Sequence, residues 1–321
     1  MPSIFVCSRI PEEGLVALRA NNFQVEVNKN ENELTSAELK EALSEYDGII
    51  TLVTNKINGE VLASAGKKLR IISNYGVGYD NIDVAAAKKR GIVVTNTPGA
   101  ASESVAEHTF MLILACAKQV VEADKFVRLG KYKRWDPYAF VSPQVWGKTI
   151  GIIGLGKIGT FVGNIAYEGF KMNVLYCDLE KSEDFELLYG AKFCDLKTLL
   201  SEADFISIHC PLNDKTKHLI GKEQFKLMKK GAILVNTGRG AIVNEEALIW
   251  ALSENKIAGA GLDVFEHEPD ISEALRLLPN VILTPHSASA TLETRIAMSK
   301  IAAQNIINVF SGKEPFGLIK N

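Results

Sequence analysis

The alternation of apolar and polar positions is clearest between residues 147 and 178. The run Thr149–Ile153 is β-branched apart from one glycine, which predicts a buried strand. Residues 157–170 follow with a helical pattern, and the apolar run 172–176 predicts a second strand. This stretch therefore predicts a strand–helix–strand unit with a glycine-rich turn at its first corner.

Three glycines at this corner have the spacing of a dinucleotide-binding loop. Gly154 permits the tight turn, Gly156 lets the backbone approach a pyrophosphate, and Gly159 lets the helix pack close to the strand. Asp178 lies at the tip of the second strand, about 20 residues past the glycines, where an acid binds a ribose hydroxyl. Its carboxylate would repel a 2′-phosphate, so the stretch predicts NAD(H), although Lys181 is nearby.

Strands alternate with helices along the rest of the chain. The runs predicted as strands are 3–7, 48–52, 69–73 and 92–95 before the glycine loop, and 204–209, 232–236, 258–263 and 281–284 after it. The runs predicted as helices include 12–20, 196–202, 244–253 and 291–310. This order predicts an α/β protein with two parallel sheets, each in a Rossmann-like or flavodoxin-like domain.

A long helical pattern lies between the two groups of strands. Ser104 and Glu107 have the spacing of a capping box, which predicts a helix that begins there. The pattern continues to about Leu129, and Gly130 supplies the stop. His108 lies inside this helix and is interpreted as a packed or surface histidine.

Composition excludes several classes of function. A length of 321 residues suggests two domains, and a formal net charge of −2 argues against a surface for nucleic acid. The N-terminus lacks a signal-peptide pattern, and the apolar runs are too short to span a membrane. Five scattered cysteines without a CxxC pair favour reduced thiols in the cytoplasm. We predict no metal site and no membrane or nucleic-acid partner.

Chemically active side chains follow three strands of the second half. Arg239 can bind a carboxylate through two parallel hydrogen bonds, and His286 can exchange a proton near neutral pH. Glu268 can fix the imidazole tautomer and keep the ring ready to donate. Each residue also has a structural explanation, such as a surface ion pair or a loop acid. Because all three follow strand ends in a dinucleotide fold, we predict a catalytic site.

Two further features are less specific. Val77 and Gly78 lie in a glycine-rich loop that follows a strand, and their N–H groups can form an anion nest. A plain glycine turn explains the same residues. His209 stands at a strand end and could line the cofactor cleft, whereas His218 and His267 lack such a context.

Four motifs, GLGKIG, NTGRG, GLDVFEHEP and LTPHSASA, occur in this order. In order and spacing they resemble the D-isomer-specific 2-hydroxyacid dehydrogenase family. The resemblance implies that an NAD-binding domain, 99–286, is inserted into a discontinuous substrate domain, 1–98 and 287–321. It also implies a homodimer built largely through the cofactor domains.

The resemblance assigns roles to individual residues. Arg239 would bind the carboxylate and carbonyl of the substrate, His286 would be the general acid/base, and Glu268 its partner. The backbone at Val77 and Gly78 would hold the carboxylate. The positions implied to contact NAD are Ser104, Gly154, Gly156, Lys157, Ile158, Gly159, Asp178, Pro211, Thr216, Thr237, Gly238, Asp263 and His286.

The function we expect is NADH-dependent reduction of a small 2-oxo acid to a D-2-hydroxy acid. Residues 74–80 and 135–137 resemble glyoxylate/hydroxypyruvate reductases, whereas residues 97–107 resemble phosphoglycerate dehydrogenases. A phosphorylated substrate needs extra cations, and Lys56 is a modest candidate. D-3-phosphoglycerate dehydrogenase therefore stays an alternative. An alternative of another class is an NAD-sensing binding protein similar to the corepressors that resemble this family.

Overall fold

The computed structural model describes residues 1–30 and 32–320. The chain forms two compact units, the first made of residues 1–101 and 290–321 and the second of residues 102–289. Both ends of the chain thus belong to the first unit, which is discontinuous. The units divide after Ala101 and Ser289, whereas the sequence placed the two boundaries after residues 98 and 286.

The first unit contains a five-stranded parallel sheet in the order β2-β1-β3-β4-β5, the flavodoxin-like arrangement. Its strands are β1 (Ser3–Val6), β2 (Gln24–Val27), β3 (Gly48–Leu52), β4 (Ile71–Tyr75) and β5 (Val93–Thr95). Its helices are α1 (Glu12–Ala20), α2 (Ser36–Glu45), α3 (Gly59–Ala63), α4 (Val84–Lys89) and α13 (Leu292–Phe310).

Alternate residues of these strands face two separate cores. In β1, Ile4 and Val6 pack with the apolar faces of α1 and α13, while Phe5 points to the cluster beside α2 and α3. This period of two is the geometry of a strand whose two faces are both covered by helices. Gly14 of α1 lies against the backbone of Ser299, and a Cβ at this glycine would collide with it.

The second unit contains a seven-stranded parallel sheet in the order β12-β11-β10-β9-β6-β7-β8. Its strands are β6 (Thr149–Ile153), β7 (Asn173–Cys177), β8 (Lys192–Phe193), β9 (Phe205–Ile208), β10 (Ile233–Asn236), β11 (Gly259–Leu262) and β12 (Val281–Leu283). Its helices are α5 (Ser102–Ala117), α6 (Val120–Arg128), α7 (Lys157–Asn164), α8 (Glu183–Tyr189), α9 (Leu196–Glu202), α10 (Lys222–Leu227), α11 (Glu245–Ser253) and α12 (Glu273–Arg276). The strand order reverses at β6, where a Rossmann sheet binds its ligand. The prediction of two parallel α/β sheets is confirmed.

The long helix predicted for residues 104–129 is wrong in two respects. It is divided at Gln119, whose φ of 51° is incompatible with a continuing helix, into α5 of 16 residues and α6 of 9. Moreover, α5 begins at Ser102, so Ser104 lies within the helix and cannot be its N-cap. In the described part of the chain, no helix has the length and apolar content needed to cross a membrane.

Three other elements differ from the sequence interpretation. The helix after the glycine loop ends at Asn164 and continues as a π-helical turn, Ile165–Gly169. Strands β2 and β8 were not predicted, because β2 is a polar edge strand and β8 has only two residues. Two helix starts have side-chain caps: Asn244 accepts a hydrogen bond from the Ala247 N–H at the start of α11, and Thr291 accepts one from the Thr294 N–H at the start of α13.

Candidate active site

The three glycines of the loop between β6 and α7 serve different purposes. Gly154 has a φ of +95°, and a Cβ here would collide with the backbone of Cys210. A Cβ on Gly159 would collide with the carbonyl oxygen of Gly154. At Gly156, by contrast, a Cβ would meet no atom of the described structure within 4 Å. The first and third glycines are therefore required by the fold, and the second leaves open space for a ligand.

The start of α7 adds unused hydrogen-bond donors to this space. Gly156 is its N-cap residue and provides no side-chain acceptor for the N–H groups of the first turn. Asp178 stands at the tip of β7, and its carboxylate accepts the Leu155 and Leu179 N–H groups, each at 2.5 Å. The acid thus lies directly beside the glycine loop. These residues fit a dinucleotide, with donors for the pyrophosphate and an acceptor for a ribose hydroxyl.

A histidine–carboxylate pair is formed by residues that follow two neighbouring strands. Glu268 comes after β11 and His286 after β12, and these strands are parallel and adjacent. The distance from His286 Nδ1 to Glu268 Oε2 is 2.8 Å, and the side chains are 30% and 25% exposed. Glu268 Oε1 accepts the Phe265 N–H at 2.8 Å, so both carboxylate oxygens are held. With Nδ1 directed at the carboxylate, Nε2 is the nitrogen that can exchange a proton with a substrate.

The turn that carries His286 is built around the buried carboxylate of Asp263. One oxygen accepts the Thr284 hydroxyl at 2.6 Å and the Ser287 N–H at 2.8 Å, and the other accepts the Ala288 N–H at 2.8 Å. The His286 N–H donates to the Asp263 carbonyl oxygen at 2.8 Å. His286 itself has a φ of 52°, an uncommon conformation for a residue with a Cβ. The hydrogen bonds of Asp263 hold the histidine in this strained conformation.

His108 of α5 completes the surroundings of Asp263. Its Nε2 lies 3.0 Å from Thr284 Oγ1 and 3.4 Å from Asp263 Oδ1. Burial by itself would raise the pKa of Asp263, but hydrogen bonds from His108, Thr284 and two backbone N–H groups outweigh it and lower the pKa. The Asp263 side chain is fully buried, and its oxygens accept hydrogen bonds from this turn and lie close to His108. Its contact with NAD stays a prediction. The sequence contained no signal for the contact with His108.

Arg239 follows β10, the strand on the other side of β11. The turn before it is closed by Asn236, whose side chain donates to Arg239 O at 2.9 Å and accepts the Gly238 N–H at 3.0 Å. The guanidinium donates to Gly238 O at 2.9 Å. A Cβ on Gly240 would collide with the Phe265 backbone, so the turns after β10 and β11 are in close contact. Arginine, glutamate and histidine therefore follow three adjacent parallel strands at one edge of the sheet.

The remaining positions implied to contact NAD have varied surroundings. Thr216 Oγ1 donates to Pro211 O at 2.6 Å, which ties these two positions together. Thr237 Oγ1 is 3.0 Å from Thr109 Oγ1 and is buried, as is Ser104. Lys157, Ile158 and Gly159 are the first three residues of α7. Contacts between these residues and NAD stay a prediction.

Two other histidines have partners that the sequence did not show. His218, which seemed to lack a functional context, lies 2.5 Å from Glu266 through its Nε2. Glu266 also accepts the Glu245 N–H at 2.9 Å, so the pair connects two loops to the start of α11. His209 Nε2 is 2.7 Å from Ser207 Oγ, and burial lowers the pKa of His209 to about 3. The His209 ring is therefore neutral at physiological pH.

In the first unit, the loop with Val77 and Gly78 has a defined backbone. The Asn74 side chain donates to Gly78 O and the Asn96 side chain to Val77 O, both at 2.7 Å. Within residues 1–30 and 32–320, no acceptor is bonded to the N–H groups of Val77 and Gly78. The carbonyls are held by amide side chains while two neighbouring N–H groups stay unbonded, which is the form of an anion nest.

A parallel Rossmann sheet with a glycine-rich loop and a histidine–carboxylate pair beside an arginine defines an NAD-dependent oxidoreductase. The family model for the NAD-binding domain of the D-isomer specific 2-hydroxyacid dehydrogenases matches residues 110–288. The chain belongs to this family. The resemblance stated from the four motifs is confirmed, and so is the assignment of the chain as an NAD-dependent oxidoreductase.

Individual relatives are similar over almost the full chain. A glyoxylate reductase of Korarchaeum cryptofilum is 46% identical over 320 residues, which cover 99% of this chain and 96% of the relative. A glyoxylate reductase of Thermococcus litoralis is 45% identical over 322 residues, with the same coverage. Among solved structures, an NADPH-dependent glyoxylate/hydroxypyruvate reductase of Sinorhizobium meliloti, in complex with NADP and malonate, is 32% identical. It has a TM-score of 0.86 and the match covers 99% of this chain and 96% of that one.

Proposed function

We propose that the protein reduces glyoxylate, hydroxypyruvate or a similarly small 2-oxo acid to the corresponding 2-hydroxy acid, which has the D configuration where C2 becomes a stereocentre, with NADH as the preferred cofactor. The observation that carries this proposal is the His286–Glu268 pair at 2.8 Å, formed at the same sheet edge as Arg239. The relatives named glyoxylate reductase support the choice of a small substrate.

His286 is the proposed proton donor. Its Nδ1 is bonded to Glu268, so Nε2 of the protonated ring gives a proton to the carbonyl oxygen of the substrate. When bound, NADH supplies the hydride for the carbonyl carbon. Glu268 is held at both oxygens and keeps the imidazole in one orientation. The transferred proton and hydride together convert the 2-oxo group into the 2-hydroxy group.

Arg239 is the proposed binding residue for the substrate's carboxylate. Its planar guanidinium matches the two oxygens of a carboxylate, and its backbone is held by Asn236 in the turn after β10. For Val77 and Gly78 we propose carboxylate binding through their N–H groups, because these are unbonded among the described residues.

The preference for NADH follows from Asp178. Its carboxylate lies beside the glycine loop at the tip of β7, where it accepts hydrogen bonds from a ribose hydroxyl and repels a 2′-phosphate. The open space at Gly156 and the first turn of α7 would hold the pyrophosphate. Some structural neighbours use the other cofactor, since the Sinorhizobium reductase is NADPH-dependent. The choice therefore needs a direct measurement.

A substrate panel tests the proposed function. NADH oxidation is measured with glyoxylate, hydroxypyruvate, pyruvate and 3-phosphohydroxypyruvate at equal concentrations. We expect the highest kcat/KM with glyoxylate or hydroxypyruvate. A phosphorylated substrate needs additional cations, and Lys56, the candidate in the first unit, is an exposed lysine. A preference for the phosphorylated substrate would establish the phosphoglycerate dehydrogenase alternative. No turnover with any 2-oxo acid would favour the NAD-sensing binding protein.

We also propose a homodimer in the cytoplasm. Helix α6 has no buried residue, although it carries Val120, Val121 and Val127 with 41–59% of their surfaces exposed. The following segment exposes Trp135 and Tyr138, at 75% and 85%. An apolar surface of this extent is typical of an interface, and a second copy is the partner that the family resemblance implies. The five cysteines form no disulfides, which fits a reducing compartment.

The dimer is tested by the oligomeric state of Val127→Asp in analytical ultracentrifugation. A charge at the centre of an apolar interface should convert the protein to a monomer. The matched control is Leu187→Asp on α8, where Leu187 is 86% exposed but lies on a different helix of the same unit. A dimer that persists in Val127→Asp, or a monomer in the unmutated protein, would contradict the proposal.

A further inference from the structure

The turn between β7 and α8 is fixed by side chains rather than by its backbone alone. Tyr176 at the end of β7 is buried, and its hydroxyl accepts the Ser182 N–H at 2.8 Å. Ser182 caps α8 by accepting the Phe185 N–H. The five residues from Asp178 to Ser182 are therefore held at both ends.

Lys181 in this turn is paired with Glu186 of α8. The distance from Lys181 Nζ to Glu186 Oε2 is 2.9 Å. The other carboxylate oxygen accepts the Phe193 N–H of β8, also at 2.9 Å, so a backbone group sets the position of the carboxylate. Hydrogen bonds from Lys181 and from the Phe193 N–H lower the pKa of Glu186, and the glutamate raises the pKa of Lys181. The lysine is thus directed to a fixed anion.

Lys181 belongs to the turn that follows Asp178, the residue to which we assign the cofactor's ribose. NADH and NADPH differ at this ribose. NADPH carries a phosphate on the ribose hydroxyl that we assign to Asp178, and Lys181 is the cation three residues further along the same turn. To bind the phosphate, Lys181 must leave Glu186, and the phosphate must then approach an uncompensated glutamate as well as Asp178. Selectivity often depends on such a repulsive element in addition to the attractive contacts.

We propose that Glu186 is a specificity-determining residue, which by holding Lys181 disfavours NADPH relative to NADH. The inference rests on the proposed function only for the location of the cofactor's ribose at Asp178. Lys181 is 51% exposed and Glu186 is 23% exposed, so water and salt weaken their attraction. The expected effect on NADPH affinity is therefore modest, roughly 2- to 5-fold.

The test is a double-mutant cycle on Glu186 and Lys181, read by equilibrium binding. The Kd values of NADPH and NADH are measured by titration calorimetry for the unmutated protein, Glu186→Gln, Lys181→Ala and the double variant. Glutamine keeps an oxygen for the Phe193 N–H but removes the charge. We expect Glu186→Gln to bind NADPH about 2- to 5-fold more tightly and to leave NADH affinity unchanged.

The lysine variants show whether the released cation is the cause. Lys181→Ala alone should not strengthen NADPH binding and should weaken it by no more than about threefold, because the lysine is already occupied by Glu186 and its removal leaves the glutamate uncompensated. In the double variant, the gain in NADPH affinity that Glu186→Gln produces should disappear. Glu168→Gln is the matched charge control, because Glu168 pairs with Lys171 in the same unit but outside this turn. It should leave both affinities unchanged.

Three results would overturn the inference: unchanged NADPH affinity in Glu186→Gln, a gain that persists in the double variant, or an equal gain in Glu168→Gln. These results are distinct from failure of the proposed function. If no 2-oxo acid is reduced but the cycle shows the expected coupling, the proposed reaction fails and the role of Glu186 stands. If 2-oxo acids are reduced but the coupling is absent, only the role of Glu186 fails.

Discussion

The glycine loop follows β6 and the His286 turn follows β12 of the same sheet, and the two are shaped by opposite means. Gly154 and Gly159 are required because any side chain would collide with backbone. The His286 turn is instead held by the oxygens of Asp263, which accept a hydroxyl and two N–H groups. The glycine loop depends on two positions that have no side chain. The His286 turn depends on hydrogen bonds to a buried carboxylate. Substitutions should therefore affect the fold and the reaction in different proportions in the two places.

The largest effect is expected for His286→Ala. If this residue donates the proton, turnover should fall by about 10²- to 10⁴-fold, the contribution typical of a general acid. NADH affinity and the unfolding free energy should stay close to those of the unmutated protein, since the side chain is 30% exposed and, among the described residues, bonds only to Glu268. Steady-state kinetics and calorimetric NADH titration measure the two properties separately.

The exposed His267 provides the matched control for His286→Ala. It lies in the loop with Glu268, but its side chain makes no hydrogen bond or ion pair in the part of the chain that the structure describes; its carbonyl oxygen accepts the Asp270 N–H. His267→Ala should retain full turnover. Turnover near the unmutated level in His286→Ala would remove His286 from the proposed mechanism.

The next effect distinguishes two glycines of one loop. Gly154→Ala should destabilise the protein by about 2–4 kcal/mol, because it adds strain at a φ of +95° to a collision with the Cys210 backbone. Gly156→Ala should leave the unfolding free energy unchanged, since the new methyl group meets no described atom within 4 Å. It should nevertheless weaken NADH binding, as the methyl group occupies the space assigned to the pyrophosphate.

Urea unfolding and NADH titration of both glycine variants provide the measurement. Equal destabilisation by the two substitutions would show that the loop is not divided into structural and ligand-facing glycines. Unchanged NADH affinity in Gly156→Ala would place the pyrophosphate elsewhere.

The sequence predicts a region well when the residues that form it are close together along the chain or share a simple pattern. The glycine loop is a local pattern, so strand, glycines, helix and Asp178 could be read within one stretch of about 30 residues. Arg239, Glu268 and His286 could be predicted as a group because each follows an apolar run and parallel strands end at one edge. Continuous apolar runs were also sufficient to predict most strands of the second unit, because β6, β7, β9, β10 and β11 are buried along most of their length.

The contacts of Asp263 and Glu266 could not be predicted. His108 lies close to Asp263 because α5 packs against β10 and β11. No local sequence pattern predicts this packing. The division of α5 from α6 was missed for a similar reason, as both segments have helical periodicity and Gln119 is not a residue that breaks a helix by itself. Tertiary packing decides these features, and a single sequence does not display it.

The smallest effect concerns Asp263, where the hydrogen-bonded turn can be tested through its pH dependence. Asp263→Asn replaces one acceptor oxygen by a donor and leaves at least one N–H group of the turn unpaired, which costs about 1–3 kcal/mol of unfolding free energy at pH 7. Asp184→Asn, at an exposed position on α8, is the control and should cost little.

The sign of the pH effect follows from the lowered pKa of Asp263 in the folded protein. A carboxyl with a lowered pKa contributes stability above its unfolded pKa, about 3.9, and this contribution is lost as the pH falls through the folded pKa. The difference between the unmutated protein and Asp263→Asn should therefore be largest near neutral pH and shrink below about pH 4. A difference that stays constant to pH 3, measured by urea unfolding, would show that the carboxylate charge does not stabilise the His286 turn.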